Sequence, residues 1–219
     1  MGNSWIMWIC YTIQKKGELY MALNGEWLSV NRLLPYKYQC AHCDAVVGPD
    51  SGYLCDRKNP GRSTRSTLAR IFICSNCNRP TYFEYLNVGS RTQIPSPRYG
   101  NKIEHLPEEI EKVYTEIRDC MSHQLHTAGV LLARKLLMNI AVDSGAKEGE
   151  SFVTYVNFLE SEGIIPKDGK DWVDAIRQAG NIATHKIPSI DQELAEEIVT
   201  FLEFLLRIKY EMPGRMAKN

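Results

Sequence analysis

Two cysteine pairs, Cys40-x-x-Cys43 and Cys74-x-x-Cys77, constrain this chain more than any other feature. Two residues between cysteines let both thiolates of a tight turn reach one ion, and two such turns supply the four soft ligands of a tetrahedral zinc site. The turns read CAHC and CSNC and are separated by 30 residues, 44 to 73. Around the second turn, LARIFIC (68–74) and PTYFEYLNV (80–88) are rich in aromatic and β-branched residues, the pattern of strand, turn and strand. The expected unit is a zinc ribbon holding one structural zinc on Cys40, Cys43, Cys74 and Cys77. Four thiolates leave no open coordination position, so such a metal folds the chain and performs no chemistry. His42, inside the first turn, would be a ligand only if a cysteine were not. Seven cysteines, four of them in C-x-x-C pairs, read as metal ligation in an intracellular protein rather than a disulfide framework, with Cys10, Cys55 and Cys120 as small buried hydrophobes.

With the metal confined to folding, function must come from the surface. Arg57, Lys58, Arg62, Arg65 and Arg70 lie between the cysteine pairs, interleaved with Gly61, Ser63, Thr64 and Ser66, and only Asp56 offsets them nearby. This reads either as a mobile phosphate-binding loop or as a solvated loop whose arginines face water or an acidic neighbour. Zero net charge hides an asymmetry: residues 1–100 hold 12 Lys and Arg against 6 Asp and Glu, and residues 101–219 hold 14 against 20. A basic first half suits a polyanion, and the two halves also suit each other. No apolar run approaches the roughly 20 residues of a membrane span, and MGNSWIMWIC lacks the basic n-region and cleavage site of a signal peptide. A cytoplasmic protein without membrane association is expected, with residues 1–35 an N-terminal extension of which 1–20 have little structural role.

Beyond Pro95-Ser-Pro97-Arg98-Tyr99-Gly100 the apolar residues recur at helical spacing, which divides a ribbon at 36–100 from a helical region at 101–219. About five helices are expected. The first follows Pro107, with Glu108, Glu109 and Glu111 in its first turn. Others run from about 127 to 142, from 152 to 162 ending at Gly163, and from an N-cap at Asp171 toward His185. The last opens on a capping box, Ser189-x-x-Gln192, and runs to about Tyr210. Short connections make these a compact antiparallel bundle.

The stretches LPEEIEKVYTEI (106–117), HTAGVLLARKLLMNIA (126–141), EGIIPKD (162–168) and DWVDAIRQAGNIATH (171–185) resemble the family of domains of unknown function numbered 4145, over about residues 104–212. A leading ribbon ending like ICSNCNRPTYFEY is similar to the usual companion of that family. The family is in turn similar to the HEPN superfamily of helical bundles, many of which dimerise and some of which cut RNA without metal, while others are inactive. The resemblance implies an α+β chain: a small β zinc ribbon followed by an antiparallel HEPN-like bundle. The HEPN nuclease motif has four to six residues between an arginine and the histidine that follows it, whereas seven residues lie between Arg177 and His185 here.

On a continuous helix Arg177, Asn181 and His185 nevertheless share one face, at i, i+4 and i+8. Histidine can exchange a proton near neutral pH and arginine can stabilise a phosphorane, so the trio is the candidate catalytic set of a metal-independent endoribonuclease. Set against this, Gly180 interrupts the helix, Asn181 can cap a broken turn and His185 can bond locally. His123, His126 and Arg134 are further candidates for the same face. Two readings stand: an RNA-directed nuclease or toxin-like defence effector working as a homodimer, and a noncatalytic nucleic-acid- or protein-binding and dimerisation module. Convergence of Arg177 and His185 on an open cleft favours the first, and their burial the second.

Overall fold

The computed structural model of the protein describes residues 22–217 except 59, 62, 88–89, 167–168 and 186–189. The proposed extension at 1–20 with Cys10, the cation Arg62 and the expected cap Ser189 all lie outside the described residues. The described chain is α+β, with an antiparallel sheet in its first half and helices after it.

Strands β1 (Asn31–Arg32), β4 (Ser51–Lys58), β5 (Arg65–Ile73), β6 (Pro80–Asn87) and β7 (Ser90–Ile94) form one sheet in the order β1-β4-β5-β6-β7, with every pair antiparallel. A second, two-stranded sheet joins β2 (Tyr38–Gln39) to β3 (Val46–Val47) around the first cysteine turn. Side chains that face each other across antiparallel strands lie on one face. Phe72 opposite Thr81, and Arg70 opposite Phe83, therefore point to the side on which Tyr36 and Tyr38 sit. There the ring centroids of Tyr38 and Phe83 are 5.0 Å apart and those of Phe72 and Phe83 5.6 Å, both edge-to-face. Such pairs are worth about 1 kcal/mol each beyond their buried area. With Leu33, Val47 and the cysteines they are the ribbon's core. Leu33 and β1 carry this unit upstream of residue 36.

The strand expected at 68–74 is present in β5, but the basic stretch before it differs from the loop expected of it. Residues 51–58 and 65–73 pair as a long β-hairpin, irregular at Cys55/Asp56, so Arg57 and Lys58 sit on one arm and Arg65 and Arg70 on the other. Polar, Gly- and Ser-containing arms hide a strand from sequence because exposed strand positions need not alternate with apolar ones.

Helices α1 (Glu108–Ser122), α2 (His126–Asp143), α3 (Phe152–Ser161), α4 (Lys170–His185) and α5 (Gln192–Leu206) follow, with a π-helical stretch Arg207–Glu211 and a short α6 (Met212–Met216) continuing α5. Ile117, Leu136, Ile140, Leu159, Ile176, Ile198, Leu202 and Leu205 form a fully buried core among the first five. Two expected caps move. Asp171 lies inside the first turn of α4, where its charge still suits the helix dipole, instead of capping it. Asp191 caps α5 by accepting from the Leu194 N–H at 2.9 Å. Asp191 directly precedes α5, and from that position its carboxylate reaches the third amide of the helix.

The segment between sheet and bundle is pinned along its length. The Ser96 backbone N–H donates to Ser122 O at 3.0 Å, Tyr99 Oη bonds the Thr200 hydroxyl at 3.0 Å, and Asn101 donates twice to the Glu203 carboxylate at 2.8 Å. Gly100 turns with φ 76°, and a Cβ there would sit 2.9 Å from Tyr114 Oη, so both backbone and space require glycine.

Candidate metal centre and nucleic-acid interface

Each cysteine turn is built by the same two backbone bonds. Cys40 N–H donates to Ala45 O and Asp44 N–H to Cys40 O; Cys74 N–H donates to Arg79 O and Asn78 N–H to Cys74 O, all at 2.9 Å. The residue after each second cysteine, Asp44 or Asn78, is left-handed, with φ 58° and 57°. Asp and Asn tolerate that conformation better than most residues, which is why one follows each C-x-x-C.

The turns bring the four thiols together: all four Sγ atoms lie within 4.8 Å of one another. Cys40 Sγ is 3.8 Å from Cys77 Sγ, and Cys43 Sγ is 3.8 Å from Cys74 Sγ. A tetrahedron with sulfur about 2.3 Å from its centre has edges of about 3.8 Å, which these two pairs match, so the four thiols could hold a single ion. Cys40, Cys74 and Cys77 are buried, and Asn76 Nδ2 lies 3.4 Å from Cys43 Sγ as an outer donor. Hydrogen bonds from Cys40 and then Cys77 hold the Cys43 thiol far below its ordinary value, while the bond to Cys43 pushes Cys40 up to about 11 and the bond to Cys40 pushes Cys77 up too. Because thiolates are the metal-binding form, loading an ion here would release protons. His42 turns away from the cluster, its Nε2 3.1 Å from Pro80 O. Cys55 is exposed on β4 rather than buried, and Cys120 is half-buried on α1.

The cluster is wired to the helices through Asp44. Its Oδ2 accepts from Arg118 Nη1 at 3.0 Å and lies 3.8 Å from Arg98 Nη1, and both arginine side chains are less than a tenth exposed. Arg118 also donates to the Tyr99 and Gly100 carbonyls, and Arg98 Nε to Asp119 at 2.6 Å. Neither arginine was a candidate from sequence, and their partner lies 74 positions from Arg118. An aspartate directly after C-x-x-C was the one local hint.

On the hairpin, Arg57, Lys58 and Arg65 are exposed, and Lys58 stands directly across the strand pair from Arg65. Asp56 is the single carboxylate on either arm. Arg70, half-buried, lies over the Tyr85 ring at 5.4 Å. Arg91 completes this surface, and it was missed because it lies in SRTQI, beyond the second cysteine turn.

On α4, Arg177 donates from Nε to Asp174 Oδ1 at 3.1 Å and is two-fifths exposed. Asn181 is exposed and accepts from Arg134 Nη1 at 3.0 Å. Arg134 crosses α4 at Gly180, where a Cβ would meet its Cδ at 2.9 Å, and lies over the Phe152 ring at 4.5 Å. His185 ends α4, its side chain lying outside the described part. His123 Nδ1 lies 2.8 Å from Asp119 O at the end of α1, and His126 opens α2 half-buried.

The architecture is therefore a sheet unit with a four-cysteine cluster that could hold one metal ion, joined to a helical bundle. Residues 115–218, just under half of the chain, match the family model described as Domain of unknown function (DUF4145). The match starts within α1 and leaves the cysteines and the whole sheet outside it. Comparison with curated proteins and with solved structures gives no match. No helix among the described residues is long and apolar enough to cross a membrane.

Proposed function

We propose that this protein is a noncatalytic nucleic-acid-binding module whose ribbon, held by one structural zinc on Cys40, Cys43, Cys74 and Cys77, presents the β4–β5 hairpin to phosphates. The observation that carries this reading is the cross-strand placement of Lys58 opposite Arg65 beside Arg57. Like charges directly opposed on a sheet cost about 0.2–1 kcal/mol, and an approaching polyanion turns that repulsion into attraction. Zinc is the natural occupant because a buried tetrahedral thiolate set selects it, and a closed set leaves the ion no substrate position. Binding of a labelled 20-nucleotide single strand, followed by fluorescence anisotropy across a salt series, tests the reading. Replacing Arg57, Lys58 and Arg65 together with Ala should weaken binding for every sequence and lower the log-log salt slope by about 2. An unchanged slope returns the hairpin to a solvated surface.

A second reading, metal-independent RNA cleavage by Arg177, Asn181 and His185 in a homodimer of the HEPN-like kind, draws support from one contact: Arg134 brings a second cation to Asn181. Its test is the purified protein incubated with total RNA beside His185→Ala. Cleavage lost in the variant, at unchanged melting temperature, would replace the binding-module reading.

A further inference from the structure

The inner face of the sheet does not end at its aromatic core. Two rows beyond the Phe72/Thr81 pair, Tyr85 stands across from Arg91, and between those rows Arg70 stands across from Phe83. The result is a connected stack of cation–ring contacts. Arg70 lies 5.4 Å from the Tyr85 ring centroid, Arg91 lies 5.3 Å from the same ring, and Arg91 is also 4.8 Å from the Tyr36 ring. The strand residues of these two rows, Leu54, Arg70, Phe83 and Gln93 with Tyr85 and Arg91, include no carboxylate. Two donors in the stack, Arg70 Nε and Tyr85 Oη, are buried without a hydrogen-bond partner among the described residues. Unmet buried donors cost about 1–3 kcal/mol each, so an arrangement that keeps two of them beside unneutralised arginines is poorly explained by stability.

We propose that the Arg70–Tyr85–Arg91–Tyr36 stack is a phosphodiester-binding site, with Arg91 as its anchor; this rests on the nucleic-acid reading and deepens it. A guanidinium held against rings offers its in-plane N–H fork outward, which matches two oxygens of one phosphate, whereas an ammonium would act only as a point charge. Arg91 is exposed, so its fork is open to a ligand, and contact with two rings limits its rotation in advance of binding. Since the ring faces are already occupied by guanidinium, the site reads backbone and not bases, and sequence preference should be weak. The hairpin cations supply long-range attraction, and the stack fixes the strand's register on the sheet.

The same 20-nucleotide strand separates this inference from the reading beneath it. Arg91→Lys keeps the charge and removes the fork, while Arg91→Ala removes both; circular dichroism checks that each remains folded. Both should lose about 10-fold in affinity, with the salt slope nearly kept in Arg91→Lys and lowered by about 1 in Arg91→Ala. Binding by Arg91→Lys equal to the unmodified protein overturns the stacked anchor and leaves the hairpin reading standing. A loss in the Arg57/Lys58/Arg65 triple variant without any loss in Arg91→Ala does the same. If the unmodified protein binds an acidic peptide but no strand, both fall.

Discussion

Asp44 and Asn78 hold the same place in the two cysteine turns, with nearly equal left-handed φ and the same backbone bonds around them, yet their side chains serve different neighbours. Asn78 Nδ2 donates to Leu23 O and Gly25 O at 2.9 Å, and so ties the incoming chain to the ribbon. Asp44 instead receives the buried guanidinium of Arg118 and faces that of Arg98. One turn closes the metal unit on itself, and the other joins it to the helices. A difference of amide against carboxylate decides which, because only an anion can balance arginines brought out of water.

The largest expected effect ignores this difference. Cys40→Ser and Cys74→Ser should each abolish the stoichiometric metal and the ribbon's cooperative unfolding, since structural zinc contributes roughly 10–16 kcal/mol of apparent free energy and a domain's whole stability is about 5–15. Elemental analysis and thermal melts of protein purified without added metal check it. Unequal losses from the two turns would mean that the ribbon does not fold around one shared ion.

Next in size is the exchange of the two left-handed residues. Asp44→Asn should cost about 2–3 kcal/mol, near the lower bound for breaking a buried ion pair, because Arg118 keeps its two carbonyl acceptors and Arg98 keeps Asp119. Asn78→Asp should cost about 1–2 kcal/mol by setting a carboxylate against two carbonyls, and should open the region around Leu23 to protease without loosening the bundle. Chemical denaturation gives the first comparison and limited proteolysis the second. Equal costs with identical cleavage patterns would erase the distinction between the turns.

The same contrast explains how much was legible beforehand. The four-cysteine cluster could be read from Cys40, Cys43, Cys74 and Cys77 because the spacing inside each turn is local, and the helices could be read because their apolar stripes and acidic first turns are local too. Asp44 with Arg118 could not, since nothing within a short window joins them. The β4–β5 hairpin was hidden for a different reason: its exposed arms, SGYLCDRK and RST, lack the alternation that burial on one face imposes. Arg91 went unnoticed because its meaning comes from Tyr36 and Tyr85, which only the fold places around it.

The smallest effect concerns pH, and it belongs to the joined side of the molecule alone. Burial pushes Glu203 up, but hydrogen bonds from the Asn101 side chain and backbone, and then from Arg207, outweigh it and hold the carboxyl below its ordinary value. A carboxyl depressed in the folded state binds protons more readily once unfolded. Its contribution is therefore complete above the unfolded value and is lost as pH falls through the folded one, which places the change on the acid side of the usual carboxylate range. Glu203→Gln should lower stability at neutral pH by about 1 kcal/mol, through weaker hydrogen bonds to Asn101 and Arg207, and should flatten the acid limb of the melting curve. Melting temperatures from pH 7 down to about 3 measure both. The tie between Asn78 and the incoming chain contains no titrating group, so protection of the Leu23 region from protease should hold further into acid than protection of the linker around Asn101. If the two regions open together on acidification, the linker clamp is not the acid-sensitive element and the loss at low pH arises elsewhere.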